Sequence, residues 1–371
     1  MLSEVLIIAQ KLISMPSVSP DDGGTLEYIS QYLIALGFEM EMFEIGEVKT
    51  LYAKYGKGPY CCFAGHVDVV PPGPDWQDDP YCASIIGDSL YGRGTADMKV
   101  AIACAMVAVK EALNNFKEYS FAFLLTRDEE AAAQDGIKKV SRILKERNED
   151  IRVFLLGEPT FENEILDTVK IGRRGSVTSK LKIVGQQGHI AYPHLAFNPI
   201  HNAIELLKDL MNLDFNDYIE NFGSSKLQIT NVDSFNSAMN VIPGTLEISF
   251  GVRFNSSQTE YSIKNKILTL IEKYGLSYEI VWYFHGNAFI TQDEKILTWL
   301  QNSISKFGIQ TKFDAKGATS DGRFLHDIAP VVELGFAENM AHKKDESVLI
   351  KDIEKLFFVY NNLFQDYSSL F

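Results

Sequence analysis

Cysteine is nearly absent from this chain: four in 371 residues, Cys61, Cys62, Cys82 and Cys104, with no C-x-x-C pair among them. That spacing argues against a thiolate zinc site or a disulfide framework and leaves buried, reduced thiols as the expected state. Positive charge is also short. There are 35 Lys and Arg against 49 Asp and Glu, a net charge of -14 and a pI near 5.0. An acidic surface repels nucleic acid and anionic membranes, so neither is an expected partner. Long apolar runs are missing too, and no stretch approaches the ~18 residues of a membrane span. The apolar segment Val5–Ala9 has Glu4 at its head and no basic leader, so it does not read as a signal. Leu2, Val5, Leu6, Ala9, Leu12 and Ile13 share one helical face, which predicts an amphipathic helix ended by Pro16 and a cytoplasmic protein.

What is present suits a globular enzyme. Hydrophobic residues make up 46% and charged residues 23%, and the length favours two domains with a core each. A second amphipathic helix, Thr25–Leu36, closes at Gly37. Apolar strands are predicted at Phe38–Phe43, Leu51–Tyr55, Tyr60–Ala64, Phe121–Thr126 and Val153–Leu156, with helices at Val100–Leu113 and Gly136–Glu146. That alternation predicts an α/β layered core. From about Val177 to Val281 the pattern becomes α+β: a strand, the helix Pro199–Met211, strands Leu227–Thr230 and Leu246–Arg253, the helix Tyr261–Tyr274 and the strand Ser277–Trp282. The α/β character resumes from Asp293 through a Val331–Leu334 strand and a closing helix Ile350–Tyr367. A small domain inserted in a larger one accounts for this order.

The most informative feature is a series of acids and imidazoles placed at the ends of apolar runs: His66, Asp68, Asp97, Glu129 and Glu130, Glu158, and His342. A strand ending on such a group delivers it to the sheet edge, where α/β proteins bind ligands. Two His with several acids are what a pair of hydrolytic zinc ions needs. In Gly65-His66-Val67-Asp68 both polar side chains face one way if the strand continues, so Asp68 can orient His66; a plain His–Asp pair in a turn is the other reading. Asp97, between glycines and a helix start, either caps that helix or bridges two cations. Asp128, Glu129 and Glu130 follow a buried strand, where three adjacent carboxylates are costly to desolvate unless cations sit nearby. A solvated helix start, with the acids near its dipole, is the alternative. Glu158 after Val153–Leu156 repeats the arrangement, with Pro159 ending the strand.

Taken with further stretches, this series resembles the dinuclear zinc amidohydrolase and peptidase family that includes aminoacylases and carboxypeptidases. The likeness runs nearly end to end. It is carried by Ala64–Pro71, Gly92–Lys99, Asp128–Glu130, Gly157–Pro159, Gly172–Ser176, Gly188–His194, Asn240–Gly244, Ala318–Arg323 and His342. Gly172–Ser176, Gly188–His194 and Thr319–Arg323 are similar to the branch that removes succinyl groups. The resemblance implies an α/β fold: a zinc-peptidase-like catalytic domain with a mixed sheet over 1–174 and 287–371, and a smaller inserted α+β dimerisation and lid domain over 175–286. It implies that Asp97 bridges two zinc ions, that His66 and Glu158 complete one and Glu130 and His342 the other, and that cobalt is an alternative in the second site. Glu129 would be the general acid/base and Asp68 the partner of His66. His189 would reach into the other subunit's site in a homodimer and donate to the oxyanion.

The implied reaction is hydrolysis of the amide of N-succinyl-LL-2,6-diaminopimelate to succinate and LL-2,6-diaminopimelate, a step in lysine and cell-wall diaminopimelate biosynthesis. Deacetylation of N-acetylornithine, or hydrolysis of another acylamino acid, is the alternative within the family. A substrate with several carboxylates calls for cations, and Arg173, Arg174, Arg253 and Arg323 are the candidates, with Thr319 and Asn240 as further polar contacts. Two departures stand out: Gly317-Ala318 where the family has Gly-Gly, and Glu338 where it has Asn. An acid at 338 is expected to disfavour a carboxylate substrate.

Overall fold

The computed structural model describes residues 1–115, 119–131 and 133–371. They divide into two compact units: Met1–Gly172 with Ile290–Asp314 and Ser320–Phe371, and Arg173–Phe289 with Ala315–Thr319. The second unit thus includes a short segment, 315–319, that the sequence reading placed with the first.

The first unit is built on an eight-stranded mixed sheet in the order Glu39–Ile45, Val48–Tyr55, Phe121–Thr126, Tyr60–His66, Ile151–Leu156, Val331–Glu333, Thr168–Lys170, Lys312–Asp314. Its centre is parallel: Phe121–Thr126, Tyr60–His66, Ile151–Leu156 and Val331–Glu333 all run the same way. Parallel strands covered on both faces need apolar residues at nearly every position, and every residue of Tyr60–His66 and Phe121–Thr126 is buried. The helix Val100–Asn115 is apolar on all sides and is buried from Val100 to Val109, packed against Ile350–Gln365 and Leu2–Ile13. Its alanines at 101, 103, 105, 108 and 112 let the neighbouring backbones approach closely. The first helix, Leu2–Ile13, turns Val5, Ile8, Ala9, Leu12 and Ile13 inward. The second, Thr25–Ala35, gives way to Gly37 at φ +93°, a left-handed conformation that glycine adopts without steric cost.

The second unit is a four-stranded antiparallel sheet ordered Lys226–Asp233, Thr245–Phe254, Gly175–Val184, Tyr278–Gly286. Burial alternates strictly along Thr245–Phe254, so Leu246, Ile248, Phe250, Val252 and Phe254 face the core. Helices Pro199–Met211 and Glu260–Glu272 cover that face with Ala203, Leu206, Leu210, Ile263, Ile267 and Ile271. Each starts on a strong cap. The Asn198 side chain accepts from Ile200 N–H with Pro199 in the first turn, and Thr259 and Ser262 form a capping box. Among the described residues no helix is long and apolar enough to cross a membrane. Cys61, Cys62 and Cys104 are buried thiols, but Cys82 is exposed, contrary to the expectation that all four are buried, because it sits in the loop before the short hairpin Ile85–Tyr91.

Candidate functional site

The four parallel strands of the first unit end on one edge of the sheet, and each hands over its polar groups there. Tyr60–His66 ends on His66; Phe121–Thr126 leads to Glu129 and Glu130, Ile151–Leu156 to Glu158, and Val331–Glu333 to the loop bearing His342. Asp97 arrives from the side, on the irregular turn Thr95–Lys99 that feeds the buried helix.

His66 is almost wholly buried. Its Nδ1 lies 2.9 Å from the Asp68 carbonyl oxygen, an acceptor only, so Nδ1 donates and Nε2 holds the lone pair of the neutral ring. Nε2 faces Asp97 Oδ1 at 3.1 Å and Glu158 Oε1 at 3.9 Å. On the other side of Asp97, His342 Nε2 lies 3.4 Å from Oδ2 and 3.0 Å from Glu130 Oε1. Asp97 therefore presents one oxygen to each imidazole, and each imidazole has a glutamate of its own.

These spacings suit metal ions. Donors about 2.0–2.2 Å from a tetrahedral ion are roughly 3.3–3.6 Å from one another, and the four N–O separations here run from 3.0 to 3.9 Å. Ligand atoms of His66, Asp97 and Glu130 lie within 4.8 Å of one another. Glu158 Oε1 is buried with no hydrogen-bond partner, an orphan that a cation would satisfy. The donor set fits two divalent ions that share Asp97.

Electrostatics carries the same signature. Burial favours neutral imidazole at His66, but the hydrogen bond and charge of Asp97 outweigh it and hold the ring well above its ordinary pKa. Hydrogen bonds donated to Asp97 and Glu130 push His342 up to about 10. Burial would raise Asp97, yet its bonds to His342 and His66 bring it below the usual carboxylate range. Burial, then the Asp97 charge, raises Glu158 well above that range. Without cations, the carboxylates of the site favour the charged form of both imidazoles.

The carboxylates after Thr126 divide their work. Asp128 turns away, its Oδ2 accepting the N–H groups of Gln134, Asp135 and Gly136 at 2.8, 3.0 and 3.3 Å. It organises the loop, so the expectation of three acids sharing cations holds for two at most. Burial pushes the Glu129 carboxyl up to about 8, with Asp321 and Glu130 adding to the rise and His66 and Arg323 opposing it. Asp68 differs from its expected role as well. The strand stops at His66, and the nearest Asp68 carboxylate oxygen is 3.8 Å from Nδ1. The Asp68 carboxylate instead accepts from Glu129 N–H at 3.4 Å and Glu130 N–H at 3.1 Å, while its carbonyl orients His66.

Of the proposed substrate contacts, only Arg323 lies in the first unit. It donates to the Ser320 carbonyl at 3.0 Å, sits 3.9 Å from Asp321 and stacks on Phe324. The rest belong to the second unit. His189 pairs with Val241 in a short two-stranded antiparallel ladder that places Asn240 next to it, with Ile190 N–H bonded to the Asn240 carbonyl at 3.2 Å. The His189 ring is exposed, and its Nδ1 accepts from Ala191 N–H at 3.1 Å. Arg174 and Arg253 line a groove of about 580 Å³ on the open face of the sheet, with Lys180 and Lys226 and with no Asp or Glu among the described lining residues. Arg253 donates to Ser176 Oγ at 2.6 Å and Arg174 to the Gly317 carbonyl at 3.1 Å. Arg173 is buried and lines no part of that groove; Thr319 is half-buried.

A sequence model of peptidase family M20/M25/M40 matches residues 62–366. The chain belongs to that family. A relative from Hydrogenovibrio crunogenus named succinyl-diaminopimelate desuccinylase is 42% identical over 370 residues, covering 97% of this chain and 98% of its own. One of the same name from Thioalkalivibrio sulfidiphilus is 39% identical, with 98% of each covered. The fold matches an M20 family metallo-carboxypeptidase from Sulfolobus solfataricus at a TM-score of 0.81 and 14% identity, over 98% of this chain and 99% of that one. It also matches a dinuclear metal-binding M20 peptidase from Bacillus subtilis at 0.68 and 15%, over 99% and 98%.

Among the buried acids of this M20 chain given no role in the sequence reading, two lie near Glu129 or its neighbours. Glu333 is fully buried and accepts a hydrogen bond from Ser320 Oγ. Asp321, pushed up to about 6 by burial against the pull of Arg323, contributes to the environment of Glu129. An acid inside the apolar run Val331–Leu334 was the available signal for the first. Glu338 is also better accommodated than expected: it lies 3.2 Å from Lys170, a buried lysine that holds Asp314 at 2.9 Å as well.

Proposed function

We propose that this chain is a two-zinc amidohydrolase that cleaves N-succinyl-LL-2,6-diaminopimelate to succinate and LL-2,6-diaminopimelate in the cytoplasm, on the route to lysine and cell-wall diaminopimelate. The observation that carries the chemistry is Asp97 facing two imidazoles, each with its own glutamate. The choice of acyl group rests on full-length relatives that bear the name of that activity.

His66, Glu158 and Asp97 would hold one ion, and His342, Glu130 and Asp97 the other. Bound there, such ions supply Lewis acidity toward the amide carbonyl and the attacking water. Glu129 is the group suited to move the proton. In the metal-free chain burial pushes its carboxyl up to about 8, so the group can hold a proton as well as take one, as a general base that later acts as acid must. It takes the proton of the attacking water and passes it to the departing amine nitrogen. Asp68 holds the main chain at Glu129 and Glu130 by two N–H bonds and thereby fixes where that base stands.

His189 is assigned to the site of the other subunit in a homodimer. Because Nδ1 accepts the Ala191 N–H, the neutral ring carries its proton on Nε2, ready to donate to the oxyanion. Exposed Ile190, Tyr192, Leu195, Ile204 and Met239 on the same unit favour such an interface. Arg174 and Arg253 are assigned to the substrate carboxylates, with Asn240 and Thr319 as polar contacts. Arg323, held beside Asp321, tunes the surroundings of Glu129 instead.

The test is succinate release from N-succinyl-LL-diaminopimelate by chelator-stripped protein with zinc restored stepwise and N-acetylornithine run in parallel. Zinc-dependent turnover of the succinyl compound alone is expected. Turnover of the acetyl compound alone would keep the chemistry and move the substrate, and silence on both would overturn the assignment.

A further inference from the structure

The two ligands that do most to define the centre, Asp97 and His342, come from segments far apart in sequence, and one buried carboxylate ties those segments together. Glu346 is almost wholly buried. Its Oε1 accepts from Ala96 N–H at 2.7 Å and Asp97 N–H at 3.1 Å. Its Oε2 accepts from Gly94 N–H at 3.0 Å and from Arg93 Nη1 at 2.7 Å. Main-chain N–H groups of the turn bearing Asp97 thus converge on an acid four residues after His342.

Arg93 completes the tie. It is buried, stacks on Trp76, and its Nη1 also donates to the Lys343 carbonyl at 3.1 Å, one residue beyond His342. Gly92 N–H bonds the Glu346 carbonyl at 2.9 Å, so main chain as well as side chain joins the two segments. His342 itself sits at φ +62°, a left-handed conformation that a non-glycine residue holds only when its surroundings impose it.

We infer that Glu346 and Arg93 are positioning residues that set Asp97 and His342 in register with each other and so govern binding at the His342–Glu130 half of the centre. Asp97 serves both halves, but only that half depends on the two joined segments at once; His66 and Glu158 stand on their own strand ends. The inference rests on the two-ion reading of the site. Glutamine at 346 would turn an amide NH₂ toward N–H donors on one side of the carboxylate's position, so the turn carrying Asp97 must give way. Partners of this kind, removed behind a ligand, change metal affinity by about 10- to 100-fold.

The experiment is a stepwise Co²⁺ titration of chelator-stripped wild type, Glu346→Gln, Arg93→Lys and the double variant, read by visible absorption and calorimetry, with circular dichroism and melting of the metal-free proteins alongside. Wild type is expected to take up two ions per chain. Glu346→Gln is expected to keep one step within about threefold of wild type and to weaken the other at least tenfold. Arg93→Lys, which keeps the Glu346 carboxylate on the turn but loosens the tie at Lys343, should weaken the same step by less. The double variant should be weakened at that step at least as much as Glu346→Gln alone, since Arg93 also holds the Lys343 carbonyl directly. Unchanged uptake in Glu346→Gln, or equal loss in both steps together with a lowered metal-free melting point, overturns the inference. Should Glu346→Gln fail to fold, an unchanged second step in Arg93→Lys overturns it equally. Wild type that binds no second ion would instead remove the two-ion reading beneath it.

Discussion

Loading the metal-free chain with two divalent ions should expel protons, in a number that follows from the site. At pH 7 the His342 ring, pushed up to about 10 by its bonds to Asp97 and Glu130, is an imidazolium. His66 is raised toward the same form, the hydrogen bond and charge of Asp97 with the nearby glutamates opposing the effect of burial. Burial and then the Asp97 charge raise Glu158 well above the ordinary carboxylate range, toward its neutral form. Each must give up whatever proton it holds to become a ligand, so saturation releases at least about one proton per chain, that of His342. Glu129, at about 8 and so roughly nine-tenths protonated at pH 7, adds up to one more if the ions discharge it. Two ordinary histidines and an ordinary glutamate would release only about half a proton at that pH. Calorimetric titration in buffers of different ionisation enthalpy measures the count directly. A value near one half would refute the argument, since it would mean that the metal-free site does not hold His342 protonated.

The same shifts fix the sign of a pH effect on the metal-free fold. The raised His342 pKa contributes stability that is complete below the ordinary histidine value and is lost as pH rises through about 10. The raised Glu129 pKa imposes a penalty that is absent below its ordinary value and grows as pH rises through about 8. Metal-free protein should therefore melt lower at pH 8.5 than at pH 6, and metal should narrow the difference; a metal-free chain steadier at the higher pH would contradict both assignments.

Glu129→Gln should keep both ions and the melting point while kcat falls by at least ~10²; substantial turnover would remove Glu129 from proton transfer. His189→Ala should lower kcat by about 10²–10³ with metal uptake unchanged, the usual cost of one oxyanion donor, and unaltered kinetics would leave the exposed ring without a role. Gly65→Ala should destabilise the fold by about 1–3 kcal/mol, because its new Cβ would stand 2.2 Å from Met98 Cε and 2.6 Å from Sδ in a filled core. Met98→Ala in the same chain should recover part of that loss in thermal melting, and no recovery would place the strain elsewhere.

Much of the site was legible because it sits where strong local signals stop. Tyr60–Ala64, Phe121–Leu125 and Val153–Leu156 are apolar runs, as strands covered on both faces must be, and the ligand candidates lie within a few residues of their ends. The helix Pro199–Met211 was read to the residue because Asn198 and Pro199 mark its start so firmly. What failed depended on partners distant in sequence. Nothing in Asp128-Glu129-Glu130 tells which acid will meet the N–H groups of residues 134–136. Glu346 closes a run of four charged residues that looks like solvent-facing surface until the turn at Gly94–Asp97 folds over it. Strands of two or three residues, such as Ile85–Ile86, Thr168–Lys170 and Ser347–Leu349, are too short to show a period.

The most direct test of the whole reading is diffraction from zinc-soaked crystals, with anomalous data collected at the zinc absorption edge. Two peaks are expected on opposite sides of Asp97, one reached by His66 and Glu158 and the other by His342 and Glu130. A single peak, or two that do not share Asp97, would contradict it.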